Sequence, residues 1–85
     1  MEKGQVVYSK SGHDKGGIFI VTGVGDGYVY IVDGERRKLQ KPKKKNIVHI
    51  QPTNFVNKEI AKKLNENLYI LDVDIRKALK EYTDK

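Results

Sequence analysis

The sequence predicts a mainly β domain, a small five-stranded barrel followed by a short helical C-terminal appendage. Short runs rich in β-branched residues alternate with glycine turns up to residue 52, and such runs suit a pleated sheet. Five short strands in about 50 residues favour a barrel, because closure leaves no exposed strand edges. After residue 52 the apolar residues recur at helical spacing.

Glycine turns separate the predicted strands. The turns at 25–27 and 33–34 contain Asp-Gly pairs, which tolerate the positive φ angles of tight hairpins. A loop that contains Pro42 and three consecutive lysines joins the last two strands. The five predicted strands cover residues 4–8, 18–24, 28–32, 36–40 and 46–51.

Alternation along the third strand divides its side chains between two faces. Val29 and Ile31 are expected on one face, and Tyr28 and Tyr30 on the other. A tyrosine ring can stack on a nucleobase while its hydroxyl stays solvated. The same rings can instead be buried against the helical appendage, and the sequence leaves both alternatives open.

The C-terminal third is predicted to form two helices that pack on the barrel. Residues 1–52 (barrel) and 53–85 (helical extension) are therefore expected to form one structural domain, since about 30 residues alone would not fold. The apolar segment 67–71 between the helices is expected to pack back on the barrel as an extended strip. The candidate helix caps are Asn57 or Thr53 for the first helix and Asp72 or Asp74 for the second.

Positive charge is concentrated in one short region. The chain has 17 lysines and arginines against 11 acids, a net charge of +6, and residues 33–49 hold seven of these cations with only two acids. A localised positive field attracts polyanions and gains free energy by releasing counterions from phosphates. Nucleic acid is therefore the first partner to consider. The predicted RNA-binding residues are Lys10, His13, Lys15, Arg36, Arg37, Lys38, Lys41, Lys43, Lys44 and Lys45.

Several other functional classes find little support in the sequence. The chain has no cysteine, so it has neither a disulfide framework nor a thiolate zinc site, and His13 and His49 lack suitable ligand partners. No apolar run approaches the roughly 20 residues that span a bilayer. Ser9 and Ser11 lie near His13, but local hydrogen bonding explains them better than acyl transfer does. We expect a cytoplasmic, non-enzymatic protein without cofactor, metal or membrane partner.

The first loop (residues 9–17) is part of a resemblance to a known family. Its segment 12–16, GHDKG, can present backbone amides to an anion, although any tight β-loop also uses glycine. With the preceding Val6-Val7 and the following run 18–24, it resembles the KOW motif of SH3-like barrels in ribosomal proteins and transcription elongation factors. Phe19 stands where elongation factors usually carry the second motif glycine, which favours the ribosomal branch.

A longer segment resembles one ribosomal family more specifically. Residues 43–53, KKKNIVHIQPT, are similar to the archaeal and eukaryotic large-subunit ribosomal protein fourteen. In archaeal members a basic triplet followed by Asn-Ile-x-His-Leu-x-Pro-Thr closes the barrel, and Ile50 replaces the leucine here. The segment 74–79 also resembles the C-terminal helix of that family.

The resemblance implies an SH3-like barrel that binds ribosomal RNA, or another structured RNA, on the large subunit. Large-subunit proteins would be neighbours, and a bacterial relative outside the ribosomal core stays open. We expect a monomer. The alternative is an SH3-like protein-interaction module without RNA, with the apolar segment 68–71 as its interface. The concentration of cations, in place of an aromatic and acidic groove, favours RNA.

Overall fold

The computed structural model describes residues 1–84, which form five strands, two helices and two 3₁₀ turns. The turns, Gly12–Asp14 and Ile47–His49, lie in the first loop and between the last two strands. The predicted mainly β class with C-terminal helices is confirmed. The strands are β1 (Gln5–Ser9), β2 (Ile18–Val24), β3 (Tyr28–Val32), β4 (Lys43–Asn46) and β5 (Ile50–Val56), and the helices are α1 (Lys58–Asn65) and α2 (Asp72–Thr83).

The five strands form one antiparallel sheet in the order β4-β3-β2-β1-β5. β4 and β5 lie at opposite ends of this order, although only the turn Ile47–His49 separates them in the chain. The sheet therefore curls until its two edges approach each other at that end. No backbone ladder joins β4 to β5 within residues 1–84, so the sheet is open and its closure into a barrel stays a prediction.

Both faces of the sheet carry apolar side chains, which explains why its strands have continuous apolar runs. Neighbouring residues such as Val6 and Val7 belong to different clusters, as the two-residue period of a strand requires. The helix-side cluster joins the sheet to both helices, whereas the inner cluster contains no helical residue and is enclosed by the curled sheet. The helix-side cluster contains Val6, Ile20, Val32, Ile60, Ile75, Ala78 and Leu79, and the inner cluster Val7, Phe19, Val21, Val29, Ile31 and Ile50.

The second and third strands lie where the sequence predicts them, but residues 36–40 form no strand. The Asp33 carboxylate accepts hydrogen bonds from the backbone N–H groups of Glu35 and Arg37, both at 2.9 Å. The Arg37 carbonyl in turn accepts from the Asp33 N–H at 2.9 Å. These local bonds fold the chain into a turn and take up amides that a β ladder would need.

The lysine triplet lies in a strand, so the predicted loop at this place is wrong. β4 pairs with β3 through Val29↔Lys45 and Tyr30↔Lys44. Alternation therefore places Lys45 on the inner face with Val29 and Lys44 on the tyrosine face. Sheet edges commonly carry lysine, because its charge discourages pairing with another chain. A run of charges is thus compatible with an edge strand.

The last strand and the helix caps differ in part from the expectation. β5 covers Ile50–Val56 rather than 46–51, so it crosses the predicted boundary at residue 52. Asn57 caps α1 as predicted, since its side-chain oxygen accepts the Ile60 N–H at 3.0 Å. Neither Asp72 nor Asp74 is the N-cap of α2, a position that Leu71 occupies. The Asp74 carboxylate reaches back to accept the Leu71 N–H at 2.9 Å.

The linker between the helices (residues 66–71) packs on the core through one residue only. Ile70 is partly buried against the helix-side cluster. Leu68, Tyr69 and Leu71 are 48%, 82% and 45% exposed. The predicted apolar strip is therefore mostly solvent-facing. Within residues 1–84, neither helix has the length and apolar character that crossing a membrane requires.

Candidate nucleic-acid interface

Cationic side chains line one groove beside β4. The groove has a volume of about 570 Å³ and no carboxylate among its lining residues. Cations gathered around a concave surface reinforce one another and attract phosphates. The turn at Asp33 brings this set together, because it folds residues 36–41 beside the strand that follows. The lining residues are Arg36, Arg37, Lys38, Gln40, Lys41, Pro42, Lys43 and Lys44.

The basic loop (residues 33–42) has no regular secondary structure, but α2 holds its backbone. The Leu39 N–H donates to the Asp72 carboxylate at 2.8 Å, and the Arg76 guanidinium donates to the Gly34 carbonyl at 2.7 Å. Gly34 has φ 81°, and a Cβ there would lie 2.5 Å from the Asp72 carbonyl oxygen. Only glycine allows this left-handed backbone to approach the helix so closely.

A buried carboxylate holds the loop from the other side. The Asp14 side chain is 4% exposed and accepts hydrogen bonds from Nε and a terminal nitrogen of Arg37, at 3.3 and 3.2 Å. Lys45 Nζ lies 3.9 Å from the same carboxylate and donates to the Ser11 carbonyl at 2.8 Å. One acid therefore joins the first loop, the basic loop and β4. Removing the Asp14 charge would leave the buried Lys45 ammonium uncompensated, at a cost of about 3 kcal/mol.

The cations predicted to bind RNA consequently have different roles. The Lys45 side chain is only 8% exposed, and it is absent from the groove because its ammonium faces Asp14. Arg37 borders the groove, but its guanidinium is turned towards the same carboxylate. The groove cations without an ion pair to a described residue are Arg36, Lys38, Lys41, Lys43 and Lys44.

The first loop lies next to this arrangement without lining the groove. Lys10, His13 and Lys15 are exposed on it, and none is among the lining residues. The backbone amides of Lys15, Gly16 and Gly17 donate to carbonyls of Gly12, Ser9 and Asp14. These three amides are therefore taken up within the loop, which favours the alternative that segment 12–16 is an ordinary tight β-loop.

The two tyrosines of β3 lie beside the groove. Tyr28 and Tyr30 belong to neither apolar cluster, whereas Val29 and Ile31 belong to the inner one, so the predicted division of faces is confirmed. The tyrosine rings meet edge to face, with centroids 5.6 Å apart and planes at 89°. Lys44 Nζ lies 4.2 Å from the Tyr28 centroid, within cation–π range.

Sequence reasoning missed the residues that hold the groove in place. Aspartate is common in turns, so the sequence gives Asp14 no special role, and Asp72 is predicted only as a candidate helix cap. Arg76 and Gly34 had no assigned role in the site. Their partners are distant in the chain, and no local pattern marks such pairs. The opposite facing of Lys44 and Lys45 follows only from the strand that they form, which the sequence does not indicate.

Other chemistry is sparse in the described part of the chain. Residues 1–84 contain no group of three or more histidine or acidic side chains arranged to hold a metal ion. Burial raises the pKa of Tyr8 above its ordinary value of 10.0, and interaction with the Tyr82 phenol adds to this shift. Neither tyrosine is among the residues that line the groove.

Neither the models of known protein families nor the curated proteins include a match to this chain. The resemblance to the ribosomal family therefore rests chiefly on the KOW-like segment of the first half and on residues 43–53. The function of the groove has to follow from its cations and from the way its backbone is held.

Proposed function

We propose that this protein binds RNA through the cationic groove between the basic loop and β4. The observation that carries the proposal is a concave surface lined by cations, most of which have no ion pair to any of residues 1–84. The loop that forms it is anchored by Asp14 through the Arg37 side chain, and by α2 through the loop backbone. An anchored backbone spares part of the ordering cost that flexible basic segments incur on binding. Arg36 offers a planar fork for phosphate, and the lysines act as point charges.

We further propose that the RNA is structured and belongs to, or associates with, the large ribosomal subunit. The support is the resemblance of residues 43–53 to the ribosomal family. In this fold the segment spans β4, the 3₁₀ turn and the start of β5, beside the groove. Phosphate contacts position a protein without reading sequence, so recognition would come mainly from the shape of the RNA.

The test is the salt dependence of binding to large-subunit particles, measured with a matched pair of charge variants. Lys38→Gln/Lys41→Gln removes two exposed cations from the groove. Lys58→Gln/Lys62→Gln removes two exposed cations from α1, outside it. The groove variant is expected to flatten the log–log slope of affinity against salt by about 1.4–1.8, because each lost phosphate contact contributes about 0.7–0.9.

The α1 variant is expected to keep the slope of the unmodified protein. Equal losses from both variants would mean that net charge, rather than the groove, drives association. Absence of the protein from all ribosomal fractions, at low and high salt alike, would refute the ribosomal part of the proposal. RNA binding as such would then be decided with other structured RNAs.

A second candidate function is a protein-interaction module that uses the linker. Its support is the exposure of Leu68, Tyr69 and Leu71 side by side in an otherwise polar region. Leu68→Ser/Tyr69→Ser would abolish such an interaction and leave RNA affinity unchanged. A variant that keeps all protein partners of the unmodified chain in co-purification would exclude this interface.

A further inference from the structure

The tyrosine face of β3 has features that the cationic groove does not account for. Tyr28 and Tyr30 lie on the sheet face opposite the inner cluster, but beyond the part that the helices cover. Both are partly exposed. Aromatic pairs of this kind normally add to a core. Here the two rings lie outside both cores, at the end of the sheet nearest the groove.

Both tyrosine rings pack against the backbone of a glycine. Gly23 pairs with Tyr30 across the β2–β3 ladder, and a Cβ on Gly23 would lie 3.2 Å from Tyr30 Cδ2. A Cβ on Gly25 would overlap the Tyr28 ring outright. The rings therefore rest against bare main chain, which restricts their rotamers. Pre-positioned aromatic rings lose little conformational entropy when a flat ligand binds to them.

Lys44 connects the tyrosine face with the groove. Its ammonium lies over the Tyr28 ring, and the residue also lines the groove. A cation over an exposed ring is worth about two- to fivefold in an equilibrium constant. Stacking of a nucleobase on an aromatic side chain is worth about five- to 150-fold. A base can therefore displace the ammonium from the Tyr28 ring. The Lys44 side chain is then free to contact the phosphate of the nucleotide that carries this base.

We propose that Tyr28 and Tyr30 form a stacking site for an unpaired base, with Lys44 contacting the phosphate of the same nucleotide. The ligand is a single-stranded segment within the RNA that binds the groove, so this inference rests on the proposed function. RNA is favoured over a protein partner because the site adjoins a groove lined by cations without an acid. The protein would then prefer RNA with an unpaired base over an uninterrupted duplex.

The test compares two double variants on two probes. The probes are a short oligouridylate, whose bases barely stack on one another, and a blunt RNA duplex. Tyr28→Leu/Tyr30→Leu removes the aromatic rings, and Tyr28→Phe/Tyr30→Phe keeps them as a matched control. The leucine variant is expected to lose about tenfold or more in affinity for oligouridylate. Its affinity for the duplex and its salt slope should stay as in the unmodified protein, and the phenylalanine variant should bind both probes normally.

Equal oligouridylate affinities of the leucine and phenylalanine variants would overturn the stacking site and leave the groove proposal intact. If the unmodified protein binds neither probe nor any structured RNA, both proposals fail together. If the leucine variant does not fold, NMR of the unmodified protein tests the stacking site directly. Ring protons of Tyr28 and Tyr30 should shift when oligouridylate is added, and unchanged ring resonances in a saturated complex would overturn the site.

Discussion

The basic loop (33–42) and the linker (66–71) are both irregular segments, but they are held differently. The basic loop is bonded to residues far away in sequence, through Arg37–Asp14 and Leu39–Asp72. Within residues 1–84, the backbone hydrogen bonds of the linker reach only its adjoining helices, as in Leu68 N–H to the Lys63 carbonyl. The segment with the greater charge is thus the one with the stronger tertiary anchors.

The comparison shows that the side chains a segment exposes do not determine how firmly its backbone is held. The basic loop exposes repelling cations, which would favour an expanded, mobile chain. The bond from Arg37 to the buried Asp14 carboxylate and the contacts of the loop with α2 oppose that tendency. The linker exposes apolar side chains, with only Ile70 partly buried against the core. Substitutions at the anchors should therefore matter far more than substitutions at the exposed tips.

The largest expected effect is at Asp14. Asp14→Asn should lower the free energy of unfolding by about 3 kcal/mol, because it leaves the buried Lys45 without its counter-charge and weakens the pair with Arg37. Urea denaturation measures the change. The control is Asp26→Asn, at an exposed turn position, which should stay within about 0.5 kcal/mol. Equal effects of the two substitutions would show that Asp14 does not anchor the loop.

Gly34→Ala should lower the free energy of unfolding by about 2–3 kcal/mol, because φ is 81° and the new Cβ would meet the backbone of α2. Gly27→Ala is a matched control, since Gly27 has φ 82° but nothing within 4 Å of its Cβ position. It should cost only the conformational strain, about 1–2 kcal/mol. Thermal or urea unfolding compares the two, and equal losses would mean that close approach to α2 contributes nothing.

Asp72→Ala should lower the free energy of unfolding by about 1.5 kcal/mol, because the Leu39 N–H loses a charged acceptor. Glu59→Ala removes an acid from the first turn of α1 and serves as the control, with a loss of a few tenths of a kcal/mol. Amide hydrogen exchange of Leu39 gives the sharper measurement. Protection of that amide should fall in the Asp72 variant only, and unchanged protection would contradict the anchoring bond.

The smallest effect is expected in the linker. Tyr69→Ser should change the free energy of unfolding by less than about 0.5 kcal/mol, because the side chain is 82% exposed. Ile70→Ser, one residue away, should cost about 1–3 kcal/mol by placing a hydroxyl against the helix-side cluster. If Tyr69→Ser destabilised the protein and Ile70→Ser did not, the result would contradict the assignment of Tyr69 as exposed and Ile70 as packed.

The elements that the sequence predicted well are those with local causes. β2 and β3 follow from β-branched runs between Asp-Gly and glycine turns, and the N-cap of α1 follows from the short polar side chain of Asn57. The strand predicted at 36–40 failed because one carboxylate, Asp33, redirected two amides. The predicted lysine loop at β4 is wrong because pairing with β3 makes the segment an edge strand, and three consecutive lysines show no alternation that would indicate it.

The sequence predicts the cations that line the groove, but not the contacts that hold them in place. The concentration of cations identifies Arg36, Lys38, Lys41, Lys43 and Lys44 as neighbours, since they lie close together in the chain. Strand alternation turns Lys45 inwards, and the carboxylate that it meets there, Asp14, lies in another loop. Ion pairs between distant segments follow from the tertiary fold, and no periodicity in one sequence marks them.

The strand order has a consequence for how the chain folds. β1 lies between β2 and β5, with Val7 paired to both Phe19 and Pro52. The contact with Phe19 closes a short loop, whereas the contact with Pro52 closes nearly the whole sheet-forming chain, and long closures are slower. During synthesis one edge of the first strand therefore stays unpaired until the last strand has been made. Among the strands of this sheet, β1 is therefore the one that stays longest without its second partner.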